Sequence, residues 1–269
     1  MSGKSILKRL DWFTVLCYIL LVAIGWINIY STTYSEAHSS IFDFGTIYGK
    51  QMFFIGVSLV SIFLILALEA NFYERFSSLF YIISLLLLLG VFVFGKTIAG
   101  ATSWYDLGFF NLQPSEFAKV ATALALAKYL SDIQTDIKRS KDQFYAFLII
   151  LIPVFLVLPQ PDPGSALVFF ALIFVLFREG LPLFYLLIGL LAIVIFVTTL
   201  LFGTIWIAII LGLLITLFFF LKKSTYKAPV VPIISLFVIA IALSLSVNFV
   251  FNNVFKQHHR DRFGLWLGM

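Results

Sequence analysis

Glu116 and Lys119 stand three residues apart in NLQPSEFAKVATALALAKYL, residues 111–130, just where an apolar run begins. That spacing puts both on one helix face, where a carboxylate and an ammonium can pair. Pro114 suits the first turn of a helix, and Glu116 then lies near the positive end of the helix dipole. A charge at the bilayer centre costs roughly 2.5–3.5 kcal/mol on insertion scales, and less one turn below the surface. Two readings follow. Lys119 reaches outward to the carboxylate and anchors the helix, or the pair faces a cavity and meets an anionic substrate. Ala118, Ala121 and Ala125 form a stripe of small residues. Such a stripe permits close helix packing, so the charges can sit inside a bundle.

Two further places carry chemistry. LPQPDPGSAL, residues 158–167, sets Asp162 between Pro161 and Pro163, with Gly164 after them. The prolines remove two backbone donors and extend the chain before each. The result is a tight turn with a carboxylate at its tip, which is ordinary turn chemistry. The tail FKQHHRDRFGLWLGM clusters His258, His259, Arg260, Asp261 and Arg262. Adjacent histidines point differently on a helix and no other ligand spacing accompanies them, so no metal site is expected there. Arg260 and Arg262 suit a phosphate, which guanidinium meets bidentately, or else form an electropositive stop at a membrane edge. The chain has no P-loop, no G-x-S-x-G and no H-E-x-x-H.

These residues must be positioned by membrane helices. Of 269 residues, 62% are hydrophobic and 12% charged, and the mean hydropathy is +1.07; soluble domains average about 25% charged residues. The expected fold is all-α, a polytopic helix bundle. Nine spans are predicted, roughly 12–31, 51–69, 77–95, 115–130, 143–160, 164–177, 182–202, 204–221 and 230–251. The first is a retained helix rather than a cleaved leader. With the N-terminus in the cytoplasm, twelve Lys and Arg fall inside and five outside, leaving Lys119 within the membrane; cytoplasmic loops favour such an excess. The net charge of +5 then belongs to those loops and points away from nucleic acid. Cys17 stands alone, so no disulfide framework exists. The outer segments are 32–50, 96–114 and 252–269. The middle one is aromatic, as suits the headgroup interface. The three charged places share one membrane level, an arrangement that fits a lipid-linked phosphate sugar with its head outside and its tail between helices.

TSWYDLGFFNLQPSEFAK followed by QPDPGSAL resembles the SEDS family (shape, elongation, division and sporulation), in particular its rod-shape-determining members. The motif positions are Trp104, Gly108, Gln113, Pro114, Ser115, Glu116 and Lys119, then Gln160, Pro161, Asp162, Gly164, Ser165 and Ala166, with Arg262 the best match in the tail. The resemblance implies one SEDS-type membrane domain over residues 1–269, in the bacterial cytoplasmic (inner) membrane. It implies a peptidoglycan glycosyltransferase that polymerises lipid II during elongation, releasing undecaprenyl diphosphate. Trp104, Gln113, Ser115, Glu116, Lys119, Arg260 and Arg262 would bind substrate, and Gln160, Pro161, Asp162 and Gly164 would form a structural motif. A divalent cation, magnesium or manganese, would assist the leaving diphosphate. The implied partners are a class B penicillin-binding protein and membrane proteins of the elongation complex.

Three departures stand out. Ser103 occupies a position where the family commonly has arginine, so that phosphate contact is either lost or supplied by Lys96. An extra helical pair separates Arg178 from the tail. The family's essential aspartate, in an Asp-Pro context, is expected beyond Met269, so the domain is expected to be incomplete, its catalytic residue is unknown, and the 269 residues are expected to be inactive alone. A lipid-linked precursor transporter and a non-catalytic scaffold of the wall-synthesis complex are the alternatives; an intramembrane Lys119 would suit the former.

Overall fold

About 20 apolar residues are needed to cross the hydrocarbon of a bilayer, and that length governs the helices. The computed structural model describes residues 11–34, 42–98, 100–221, 230–254, 257, 260, 261 and 264. Two compact units divide the chain, Met1–Phe72 and Tyr73–Met269. In the first, α1 (Trp12–Thr33) and α2 (Ile47–Ala67) each begin at a side-chain cap. Asp11 accepts hydrogen bonds from the Phe13 and Thr14 amides, and Thr46 accepts one from Gly49. The two helices are tied by the Trp26 indole, which donates to the Tyr48 carbonyl at 3.1 Å.

The second unit holds α3 (Ala70–Phe94, which starts at the boundary), α4 (Pro114–Ser131), α5 (Ser140–Val157), α6 (Pro163–Phe169), α7 (Leu172–Arg178), α8 (Leu183–Leu221) and α9 (Val230–Phe249). A π-helical turn, Val250–Val254, extends α9. Leu88, Ala118, Leu126, Ala146, Ile150, Val154 and Phe169 form the core among α3, α4, α5 and α6. Ala118 and Ala121 are buried, as a small-residue seam requires.

Among the described residues, six helices are long and apolar enough to cross a bilayer: α1, α2, α3, α5, α8 and the stretch Ile233–Asn253. α4 also has 18 residues but carries Glu116, Lys119 and Lys128. The sixth predicted span breaks into α6 and α7. Phe170 and Ala171 donate to carbonyls only three residues back, Leu167 and Val168. This tight turn is of 3₁₀ type.

α8 has 39 residues; a straight helix of that length would run about 58 Å, nearly twice the hydrocarbon thickness. Gly203 interrupts it at φ 79° and ψ 162°, where the seventh and eighth predicted spans meet. The arms fold back, since Ile195 before the break and Leu211 after it line one apolar cavity with Ala240 of α9. Near the break, Thr199 and Thr204 both meet the buried Ser244 hydroxyl, at 2.9 and 3.1 Å.

The aromatic segment expected as a loop is a small antiparallel sheet: β1 (Lys96–Ile98), β2 (Ala101–Asp106) and β3 (Asn111–Leu112), in the order β1-β2-β3. Ile98 pairs with Ala101, so only two residues turn the first hairpin. Gly100 supplies the positive φ, 85°, that such turns demand.

Gly203 and Gly212 of α8 offer a paired test. A Cβ added at either meets nothing within 4 Å, so only the backbone responds. Gly203→Ala forces a side chain into a region nearly reserved for glycine and should destabilise the chain by about 1–3 kcal/mol. Gly212→Ala, in regular helix, should stabilise it by about 0.5–1 kcal/mol. Thermal unfolding of the detergent-solubilised chain reads both. Shifts of the same sign would contradict the break at Gly203.

Candidate functional site

The sheet is held by α3. Tyr105 of β2 donates its hydroxyl to the Leu87 carbonyl at 2.7 Å. Gln160, from the second motif, donates its side-chain amide to the neighbouring Leu88 carbonyl at 3.0 Å. The Gln160 backbone carbonyl in turn accepts from the Thr102 amide of β2 at 3.1 Å. Gln160 is buried, so the start of the Pro-Asp-Pro turn is clamped between α3 and the sheet. Burial raises the Tyr105 hydroxyl above its usual pKa of 10.0, which keeps the proton it donates.

β3 leads straight into α4. Gln113 is the N-cap residue, yet its side chain makes no cap bond. It donates instead to Asp162 at 2.8 Å. The other Asp162 oxygen accepts from the Ser165 amide at 3.0 Å and so caps α6. The Ser115 and Ser165 hydroxyls lie 3.5 Å apart in the interior. The two sequence motifs therefore meet, with Gln113, Ser115, Gln160 and Asp162 in one linked group. One turn along α4, Lys119 donates to Glu116 at 2.7 Å, with side-chain exposures of 22% and 57%. Trp104 is half-buried on β2, opposite Lys96 in register.

Other expected residues are placed differently. Lys96 donates to Asp106 at 2.6 Å, a pairing across the sheet. Ser103 is buried, and its hydroxyl makes no hydrogen bond. The Arg260 Nε is buried without a partner. Among the described residues no hydrogen bond or ion pair joins Arg260 to the Glu116–Lys119 pair. Arg262, like His258 and His259, lies outside the described residues, as do the predicted inner cations Lys4, Lys8, Arg9, Lys222, Lys223 and Lys227.

The carboxylates here do not suit a divalent cation. Both Asp162 oxygens are engaged, Glu116 faces Lys119, and Asp106 faces Lys96 and the Gly108 amide. The described residues contain no group of three His, Cys, Asp or Glu that could hold a metal.

Lys96, by its hydrogen bond, and the Gly108 amide hold Asp106 below its ordinary pKa of 3.8. A group with a lowered folded-state pKa adds stability that is complete above the unfolded value and is lost as pH falls through the folded one. The sheet should stay tied at neutral pH and loosen only below about 3.8. Amide exchange of residues 96–106 against pH measures this, and Asp106→Asn should abolish the dependence.

The model of the family described as cell cycle protein, covering FtsW, RodA and SpoVE, matches residues 11–209. A probable peptidoglycan glycosyltransferase FtsW from Aliivibrio salmonicida is 38% identical over 122 residues, 45% of this chain and 30% of that protein. The crystal structure of Thermus thermophilus rod shape determining protein RodA superposes with a TM-score of 0.59 at 35% identity, covering 68% of this chain and 57% of that one. A chain from a peptidoglycan synthase complex, in which polymerization and crosslinking are structurally coordinated, gives 0.60 at 36% identity over 71% of this chain and 54% of its own. The chain thus spans 30% to 57% of these proteins. With nearly three quarters of its residues matched by that family's model, and its two motifs joined at one face, the chain belongs to the FtsW, RodA and SpoVE family, the SEDS family.

Proposed function

We propose that this chain supplies the part of a peptidoglycan glycosyltransferase that grips the diphosphate of lipid II at the outer face of the bacterial inner membrane. The observation that carries the reading is the Glu116–Lys119 pair beside the Gln113–Asp162 link. Gln113 and Asp162, 49 positions apart, meet at the start of the helix that carries this partly exposed ammonium. In the reaction, the acceptor 4-hydroxyl forms a bond to the donor's anomeric carbon, the bond to phosphate breaks, and undecaprenyl diphosphate leaves. Lys119 can turn from Glu116 to a diphosphate oxygen and offset the charge that builds there. Until a diphosphate arrives Glu116 holds that ammonium in place, and Trp104 offers an aromatic face at the same outer segment. Asp106, Glu116 and Asp162 are each engaged by donors, so the proton of the acceptor hydroxyl goes to a base elsewhere. A rod-shape role in elongation, with a class B penicillin-binding protein as partner, is supported by the likeness to RodA and to a chain of a synthase complex.

Binding of lipid II to the chain in lipid nanodiscs tests the proposal. Lys119→Ala should weaken it by tenfold or more, since a hydrogen bond to a charged group is worth about 1.5–3 kcal/mol, and Lys119→Arg should keep most of it. The pair is part exposed, so its loss should cost folding no more than about 1 kcal/mol. Unchanged lipid II binding, or an equal loss for phosphatidylglycerol, would refute the diphosphate site.

A further inference from the structure

Tyr105 occupies the middle of the outer sheet, yet its hydroxyl reaches into the side of α3. The Leu87 carbonyl it meets lies well inside that helix. Such a carbonyl ordinarily accepts from the amide four residues on, so the tyrosine uses its second lone pair. The approach is open because residue 90 is glycine. A Cβ there would stand against the Tyr105 hydroxyl oxygen, nearer than side chains come, with the ring carbon Cζ next at 3.6 Å. Tyr105 is paired in register with Leu112, and Leu112 directly precedes Gln113, where α4 starts. Displacing the ring would therefore move β2, β3 and the first turn of α4 together.

We infer that Tyr105 is a positioning residue, a peg seated in the Gly90 notch of α3 that sets where the outer sheet and the Glu116–Lys119 pair stand. The inference rests on the reading of that pair as the diphosphate grip, but its geometry can be tested separately. Nothing in the two sequence motifs depends on residue 90, which lies in a run of leucines.

The notch predicts a reversal that a general packing role would not. Gly90→Ala alone should drive the hydroxyl off Leu87 and raise amide exchange across residues 101–112. On the Tyr105→Phe background the obstructed oxygen is gone, and the new methyl would meet Cζ at an ordinary 3.6 Å. There Gly90→Ala should do no harm and should strengthen α3, as alanine does in a helix. Tyr105→Phe alone should raise exchange about fivefold, the loss of one buried hydrogen bond. The experiment measures exchange and lipid II binding for the whole chain in nanodiscs, in all four combinations. Both readouts should worsen in Gly90→Ala and return to the Tyr105→Phe level in the double variant. A Gly90→Ala penalty of equal size on both backgrounds would overturn the peg, as would exchange in 101–112 that neither change moves. An exchange pattern as described with binding that stays at the wild-type level would overturn its role in setting the site. If the unsubstituted chain fails to bind lipid II while exchange follows the pattern, the peg stands and the diphosphate reading falls.

Discussion

The hydrogen bond from Gln113 to Asp162 joins two helix starts that lie 49 residues apart in the chain. The two motifs meet around it. Gln113 gives up capping its own helix to reach Asp162, and Asp162 uses one oxygen for that link and the other to cap α6. A proline follows each cap, Pro114 and Pro163, where a missing amide removes one donor that a helix start would otherwise leave open. The first turn of α4 then carries Glu116 at its favourable dipole end. Lys119 follows by helix spacing. The ion pair is thus a consequence of where α4 begins, and α4 begins where Asp162 holds it.

The same face shows how polar groups are accommodated at the edge of hydrocarbon. Backbone donors and acceptors within a bilayer must be satisfied by the chain itself. Strands with open edges would fail deep in the membrane, yet this short sheet lies beyond the end of α3, bound to α3 through Tyr105 and to the second motif through Thr102 and Gln160. The nearby carboxylates are each met by a cation, an amide or both. A diphosphate arriving there would compete with Glu116 for the Lys119 ammonium. That competition limits how tightly the ground state is held, and it lets the interaction grow as negative charge builds on the leaving group.

Much of this was legible in the sequence because it is local. The α4 start at Pro114, the Glu116–Lys119 spacing and the small-residue stripe are all properties of one helix, and helical periodicity exposes them. The break at Gly203 was visible as the meeting of two apolar runs too long to be one span. What escaped was non-local. Strands of three, six and two residues are too short to carry a period-2 pattern, and their stability comes from α3 and Gln160. The Lys96–Asp106 pair bridges ten residues across a hairpin, so no helical spacing announced it. Gly90 sat unnoticed among leucines, since a glycine in a membrane helix is common and only the tyrosine opposite gives it meaning. The division of residues 163–178 into α6 and α7 also lacked a local signal: neither glycine nor proline stands at Phe170 or Ala171.

Two places in the second unit show contrasting polar chemistries. Around α4 it uses charges, each compensated within hydrogen-bonding distance and partly exposed. At the Gly203 break it uses hydroxyls alone: Thr199, Thr204 and Ser244 satisfy one another, and Thr199 also meets the Ile195 carbonyl at 2.6 Å. Hydroxyl contacts between membrane helices are worth only about 0.6 kcal/mol on average, so they steer packing more than they strengthen it. Their small desolvation cost suits an apolar hairpin with no charged residue between Glu179 and Lys222. An ion pair there would cost more to bury than it returned. Charge is retained where a charged ligand could repay that cost, at the start of α4, and is absent where only packing is required. On physical grounds, that contrast separates the two places into one suited to chemistry and one suited to holding helices together.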